Sequence, residues 1–397
     1  MISRIKILIL AIVGVAIASC EQLEPPMPES FSILDGSVDG LTKSENLQFL
    51  RGDAAFNDQV FTTLNGLGPL FVATSCGSCH AGDGKGHPFT SLTRFGQSDD
   101  TGNHFLTMGG PQLQHRANPG FTPEQLPSGI PFSKFTPPAN TGLGFLNAVT
   151  DEDILAWADP NDLNGDGISG VPNWISLKVY GAPRPGSVEK NGNYLARFGK
   201  KGAAYDLLQQ TAQAYNQDIG ITSTYEPNDT HSGLEIDPEI TNQTVQDVVF
   251  YLNTLKAPIA RPQDEAILKG KQLFSSIGCG KCHREEMKTG ASSIKALANK
   301  AFYPYTDLLL HDMGKGLDDG YTEGSAKTFE WRTPPLWGLG LSKNSQGGQY
   351  YLLHDGRAQS IEEAIILHGG EGNQSQQAFK TLSVEEKKNL IRFLESL

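Results

Sequence analysis

Two short segments carry the residues best suited to chemistry, Cys76-Gly-Ser-Cys79-His80 and Cys279-Gly-Lys-Cys282-His283. In each, two thiols stand three residues apart and an imidazole follows the second. Covalent attachment of haem requires this spacing: the sulfurs add to two vinyl groups, and the adjacent imidazole binds the iron from one side. The two segments use four of the five cysteines in the chain. The alternative is a zinc centre built from the same four thiolates. Zinc leaves the histidine after each pair unexplained, and it needs pairs as distant as Cys76 and Cys279 to converge. The expected cofactors are two covalently bound c-type haems, with His80 and His283 as iron ligands.

The fifth cysteine, Cys20, ends the run Ile17-Ala18-Ser19-Cys20. Arg4 and Lys6 precede an apolar stretch from Ile7 to Ala18, of signal-peptide length and short for a membrane span. Residues 1–19 read as a lipoprotein signal peptide and Cys20 as the lipidation site; an ordinary secretory signal is the alternative. Residues 20–45, with Pro25, Pro26 and Pro28, read as a tether. The expectation is an exported lipoprotein, held to a membrane through its N-terminal lipid and facing the periplasm or cell surface. Attachment of haem to C-x-x-C-H segments takes place outside the bacterial cytoplasm, which suits export.

The length, 397 residues, favours two or three domains. With 44 glycines and 23 prolines, long irregular connections are expected between elements. The formal charge of −12 disfavours nucleic acid as a partner.

Apolar residues recur at helical spacing from Leu47 to Leu64, leading into the first segment. The spacing predicts further helices over Asp151–Ala158, the second half of 194–217, Thr244–Leu255, Gln263–Phe274, Ile361–His368 and Ser383–Leu397. Residues 81–150 lack periodicity and read as an ordered wrapping loop, anchored by Phe89, Phe95, Phe105, Phe121, Phe132, Phe135 and Phe145. His87, His104, Met108 and His115 in that loop are candidate sixth ligands to the first haem. Asp162, Asn164 and Asp166, followed by Gly167, resemble the first half of a calcium loop, although Asn173 stands where a bidentate Glu belongs. An Asx-rich turn is the alternative. Pro258 and Pro262 mark a boundary, giving an N-terminal haem domain over 46–258 and a C-terminal haem domain over 259–397. The expected fold class is mainly α, with two cytochrome c-like haem domains and long irregular loops.

Trp331-Arg-Thr-Pro-Pro-Leu-Trp337, His354-Asp-Gly-Arg-Ala358 and the following Glu-Glu-Ala-Ile helix resemble the bacterial di-haem cytochrome c peroxidases and the di-haem enzyme that matures methylamine dehydrogenase. Within that group the chain is most similar to the di-haem oxidoreductases also called thiol oxidoreductases. His311-Asp-Met-Gly, Asp162-Leu-Asn-Gly-Asp-Gly, Arg197-Phe-Gly-Lys-Lys and Asp218-Ile-Gly-Ile-Thr-Ser extend the likeness over nearly the whole mature chain.

The resemblance implies a sixth ligand to the second haem fourteen residues beyond His354, which is His368 where the relatives have Met or Tyr. Two imidazoles lower the haem potential relative to imidazole and thioether. It also implies a distal pocket at the first haem, matched here by Asp218 with Gln209 or Gln210, the carboxylate moving a proton of bound peroxide. Arg332 and His354 would hold haem propionates or the ligand helix. The relatives place a Trp between their haems where this chain has Phe198; Trp174, Trp331 and Trp337 are the candidates to replace it.

The function implied is that of a haem-dependent oxidoreductase of peroxidase type. A redox protein would deliver electrons at the C-terminal haem, and a small oxidant such as peroxide would react at the N-terminal haem. The alternatives are a non-enzymatic di-haem electron carrier and an accessory redox protein of periplasmic metal or iron handling. Thiol chemistry has no support, because the haem and lipid assignments leave no free cysteine.

Overall fold

The computed structural model describes residues 28–96 and 111–397. Residues 1–27, with Cys20, and His104, Phe105 and Met108 lie outside the described residues. Met1–Ile33 and Leu34–Leu397 form separate units. Within the first, Ser30–Ser32 makes one 3-10 turn. The structure is 33% helical and 12% strand, and no described helix is long and apolar enough to cross a membrane.

Ten helices are described in the second unit: α1 (Lys43–Asp53), α2 (Leu143–Asn147), α3 (Asp151–Leu155), α4 (Leu207–Asp218), α5 (Asn242–Thr254), α6 (Glu265–Ser276), α7 (Ser342–Ser345), α8 (Ile361–Ile366), α9 (Asn373–Thr381) and α10 (Val384–Ser396). The long helices start where a side-chain oxygen can take an orphan amide. Thr42 with Glu45 and Ser383 with Glu386 form capping boxes. Asp206, Thr241 and Asp264 cap α4, α5 and α6. Strands are short and antiparallel, among them β1 (Leu92–Phe95) on β2 (Phe132–Phe135) and β3 (Leu310–Asp312) on β4 (Glu330–Arg332).

One packing device appears twice. α1 crosses α5 at Gly52, where a Cβ would stand 2.1 Å from the Asp247 carbonyl oxygen. α6 crosses α10 at Gly270, where a Cβ would stand 2.1 Å from the Asn389 carbonyl oxygen. Only glycine permits either approach. In both cases an aromatic ring sits four residues beyond the glycine and near the motif histidine. Phe56 lies 5.9 Å from the His80 ring and 5.5 Å from Tyr251 of α5. Phe274 lies 6.5 Å from the His283 ring and 5.5 Å from Phe393 of α10. Each crossing seeds its own apolar cluster, one around Phe49, Phe56, Val248 and Tyr251, the other around Ile267, Phe274, Leu390 and Phe393.

The first helix is shorter than its apolar pattern predicts. α1 ends at Asp53 in a π-turn over Ala54–Asp58, and the chain then runs extended. Leu47 and Leu50 are 52% and 57% exposed, because the face turned to α5 is set by Gly52 and Phe49. Phe61 reaches the core from outside the helix, its amide donating to the Thr74 carbonyl. In the long loop Phe95 and Phe135 are buried through the β1–β2 pair, whereas Phe89, Phe121 and Phe132 are exposed.

Gly270→Ala is expected to destabilise the protein by roughly 1–3 kcal/mol through overpacking. Thermal denaturation checks this against Gly316→Ala, where an added Cβ meets nothing within 4 Å.

Candidate functional site

Each cysteine pair and its histidine share a single helical turn. The His80 amide donates to the Cys76 carbonyl at 3.0 Å, and the His283 amide donates to the Cys279 carbonyl at 3.0 Å. Both thiols and the imidazole of each segment line one continuous cavity, as does His368. The four thiols are unpaired. They do not gather as a four-thiolate zinc site needs: among the described residues the one cluster with metal-ligand spacing is Cys282, Asp307 and His311.

Three imidazoles are held alike. Nδ1 lies 3.0 Å from the Pro138 carbonyl in His80, 3.0 Å from the Tyr305 carbonyl in His283 and 2.7 Å from the Ala364 carbonyl in His368. A carbonyl only accepts, so each Nδ1 carries the proton and each Nε2 keeps a lone pair. Burial lowers the pKa of His80 and of His283 to about 4, and lowers that of His368, keeping all three neutral as iron ligands must be. His368 is close enough to His283 to depress its pKa further.

α4 forms the wall beside Cys76 and Cys79. Leu207, Gln210, Thr211, Ala214, Tyr215 and Asp218 recur at helical spacing along that wall. Of the two glutamines predicted, Gln210 lines the cavity. Gln209 does not; its Oε1 accepts the Tyr205 amide at 3.0 Å and closes the turn before its own helix. Burial raises the Asp218 carboxyl to about 6, against a hydrogen bond from Gln112 and the charge of Arg94. Arg94 is fixed between Glu323 (2.8 Å) and the Gln217 side chain (2.7 Å). The hydroxyls of Thr211 and Tyr215 are buried without a partner. Unsatisfied hydroxyls and a carboxylate on an otherwise apolar wall suit a small polar ligand there.

His87 and His115 do not line the cavity. His87 accepts the Phe89 amide and packs on Phe89 and Tyr351, and His115 is exposed. Among the described residues the first motif therefore has no opposing imidazole of the His368 kind.

At the second motif His311 is taken at both nitrogens, by Asp307 at 2.8 Å and Glu371 at 2.6 Å. Burial opposes its charge, but the two carboxylates hold its pKa well above the ordinary value. This excludes His311 from ligating a metal through either nitrogen. Glu371 also accepts the Ser169 and Asp312 amides, so the turn after His368 is tied to β3 and to the 162–169 loop.

Asp162, Asn164 and Asp166 point at their own loop. They accept the amides of Gly167, Asp166 and Ile168 respectively. Asp166 also pairs with Lys281 of the second motif at 3.3 Å. Asn173 is buried elsewhere, its amide donating to the Lys201 and Glu323 carbonyls.

Arg332 and His354 both line the cavity. Arg332 donates to the Gly199 and Thr333 carbonyls. His354 stacks on Trp331 with centroids 3.5 Å apart, and its Nε2 is buried without a partner. Phe198, Trp331 and Trp337 line the cavity, and Trp174 does not. Sequence reasoning missed Gln112, Thr211, Tyr215 and Glu371. Of these, only Glu371 carries a local signal, its three-residue spacing from His368.

The donor set fits two haems: neutral imidazoles with free Nε2 atoms, thiol pairs beside them, and orphaned polar groups on a shared apolar cavity. This defines a di-haem redox protein. The chain belongs to the family described as "di-haem oxidoreductase, putative peroxidase", matched over residues 134–397, and is a haem oxidoreductase. No curated protein matches it in sequence. Two solved structures are similar to it, each 14% identical over 94% of both chains. They are hydrazine synthase from Kuenenia stuttgartiensis pressurised with xenon (TM-score 0.40) and a MauG-like protein associated with microbial copper homeostasis (TM-score 0.39).

Because the folded state raises the Asp218 pKa from 3.8 to about 6, protonation favours folding. The contribution is complete below pH ~4 and is lost as pH rises through ~6, by at most about 3 kcal/mol. Asp218→Asn is expected to remove this dependence. Melting temperatures from pH 4 to 7 check it: the variant should gain on the native protein as pH rises.

Proposed function

We propose that this protein is an exported, lipid-anchored c-type di-haem oxidoreductase of peroxidase type. Haems attached at Cys76/Cys79 and Cys279/Cys282 would sit in two cytochrome c-like domains, 46–258 and 259–397. One observation carries the reading. His283 has a second neutral imidazole, His368, beside it on the cavity, while the wall beside Cys76 and Cys79 offers a carboxyl and hydroxyls.

The haems supply electron storage and the capacity to reduce a bound oxidant. The residues do the rest. His80 would hold one haem iron, and His283 with His368 would hold the other, through their unprotonated Nε2 atoms. Asp218 would accept a proton from one oxygen of a hydroperoxide at its carboxylate and return it to the other oxygen. Gln112 holds that carboxylate in place through its amide. Gln210 and the hydroxyls of Thr211 and Tyr215 offer hydrogen bonds to the oxidant. Overall, two electrons from a redox protein donor, entering at the His283 side, and two protons reduce the peroxide to water. The oxygens of Asp162, Asn164 and Asp166 are engaged by the loop and by Lys281, so calcium would bind there only by displacing those bonds. Export and anchoring rest on residues 1–20 alone.

Low-temperature EPR of the ferric protein is expected to give one high-spin and one bis-imidazole low-spin signal. Two low-spin signals with no high-spin component would overturn the open first site and favour an electron carrier. In His368→Ala the low-spin signal should disappear. On denaturing gels stained for haem, a Cys76→Ala, Cys79→Ala double variant should keep about half of the covalent haem stain of the native chain.

A further inference from the structure

Several buried and half-buried cations have a carboxylate: Arg197 and Arg184 share Asp151, Lys201 has Asp319 and Arg94 has Glu323. Lys85, Lys200 and Arg332 have none within salt-bridge range among the described residues. All three line the cavity together with His354. Lys85 donates to the Leu353 carbonyl at 3.2 Å, Lys200 to the Thr136 hydroxyl at 3.4 Å, and Arg332 to the Gly199 carbonyl at 2.9 Å. The acids whose charge reaches them are engaged elsewhere: Asp355, beside the two lysines, pairs with Arg357 at 2.8 Å, and Asp307, felt by Arg332, pairs with His311 at 2.8 Å. Thr136 binds the group together, its amide and hydroxyl both donating to the His354 carbonyl.

Such a cluster is costly in isolation. Burial drives the Lys200 ammonium well below its ordinary pKa, and the charges of Lys85 and Arg332 add to the effect. Burial likewise lowers Lys85 to about 8 and Arg332 to about 10. The unpartnered Nε2 of His354 faces the same wall. A set of like charges brought partly out of water either sheds protons or takes anions among them, and the cavity leaves room for anions. The cluster also borders both iron-ligand sets: Lys200 is close enough to His80 to lower its pKa, and His368 is close enough to His354 to do the same.

On the reading given under Proposed function, haem held by cysteine at its vinyl edge turns its two propionate carboxylates away from the thioethers. We propose that Lys85, Lys200, Arg332 and His354 form one shared nest for propionates of both haems, and so tie the two reduction potentials to a common set of charges. A cation beside a haem favours the ferrous form, which carries one positive charge fewer. Removing a nest charge should therefore lower both potentials together.

The test uses the full holoprotein. Pyridine haemochrome analysis first counts haems; fewer than two per chain in the native protein defeats the functional reading itself. With two present, spectroelectrochemical titration of Lys200→Met and Lys85→Met is expected to move both potentials downward, while Lys200→Arg leaves both near the native values. The propionate bending bands in resonance Raman spectra should shift in the Met variants. If Lys200→Met loses haem, the potentials of Lys85→Met decide. Two haems bound with neither potential moved, or only one, would overturn the shared nest and leave the functional reading standing.

Discussion

A neutral imidazole can offer a metal only one lone pair, and its other nitrogen must spend its proton on something that cannot give one back. The carbonyls of Pro138, Tyr305 and Ala364 supply that constraint. Much of the chain's irregular structure exists to bring them in. Pro138 arrives from fifty-eight residues beyond His80. Its approach is stitched to the segment after the motif by the amides of Gly86 and Asn140, which donate to the Pro137 and Asp83 carbonyls. Two consecutive prolines leave that strand few conformations to lose. Tyr305 does the same for the second motif from a residue in left-handed backbone conformation, a cost that packing on Phe274 and Phe393 offsets.

The helix crossings at Gly52 and Gly270 give these carbonyls something rigid to be measured from. With no side chain between them, the backbones meet, and Phe56 and Phe274 are delivered to the backs of His80 and His283. Stiff aromatic contacts there limit ring rotation, so the direction of each Nε2 is set by packing as well as by its hydrogen bond. The same logic extends to His368, whose following turn is held by Glu371 to His311 and Ser169.

The helical turn of each motif, the start of the last helix at Ser383 and the place of His368 on the cavity were legible because their signals are local: a fixed spacing, an oxygen at a cap, a count along one segment. Gly52 and Gly270 were not, since a glycine's purpose depends on a helix nearly two hundred or more than one hundred residues away. The apolar pattern of α1 misled for the same reason, as Leu47 and Leu50 look like core residues until Gly52 determines which face meets α5. Gln209 and Gln210 are equivalent in sequence, and only the backbone amide that one of them satisfies separates them. Gln112 and Asp218 meet across 106 residues. Nothing local marks Lys85 for the cavity, and Lys200 stands out only as part of Arg197-Phe-Gly-Lys-Lys, because an ammonium is ordinarily a surface group.

Trp331 has its two faces covered by unlike neighbours. The neutral His354 ring stacks on one, and the Lys201 ammonium stands 4.0 Å from the ring centre on the other. The indole N–H is spent on the Leu317 carbonyl. An ammonium at that distance makes an electron harder to remove from the ring, by a few kcal/mol at an intermediate effective dielectric, and Asp319 behind it cancels only part of this. Oxidising a tryptophan so placed would create two positive charges in contact. Lys201 thus makes Trp331 a poorer carrier of an electron hole than an indole with no cation on its face.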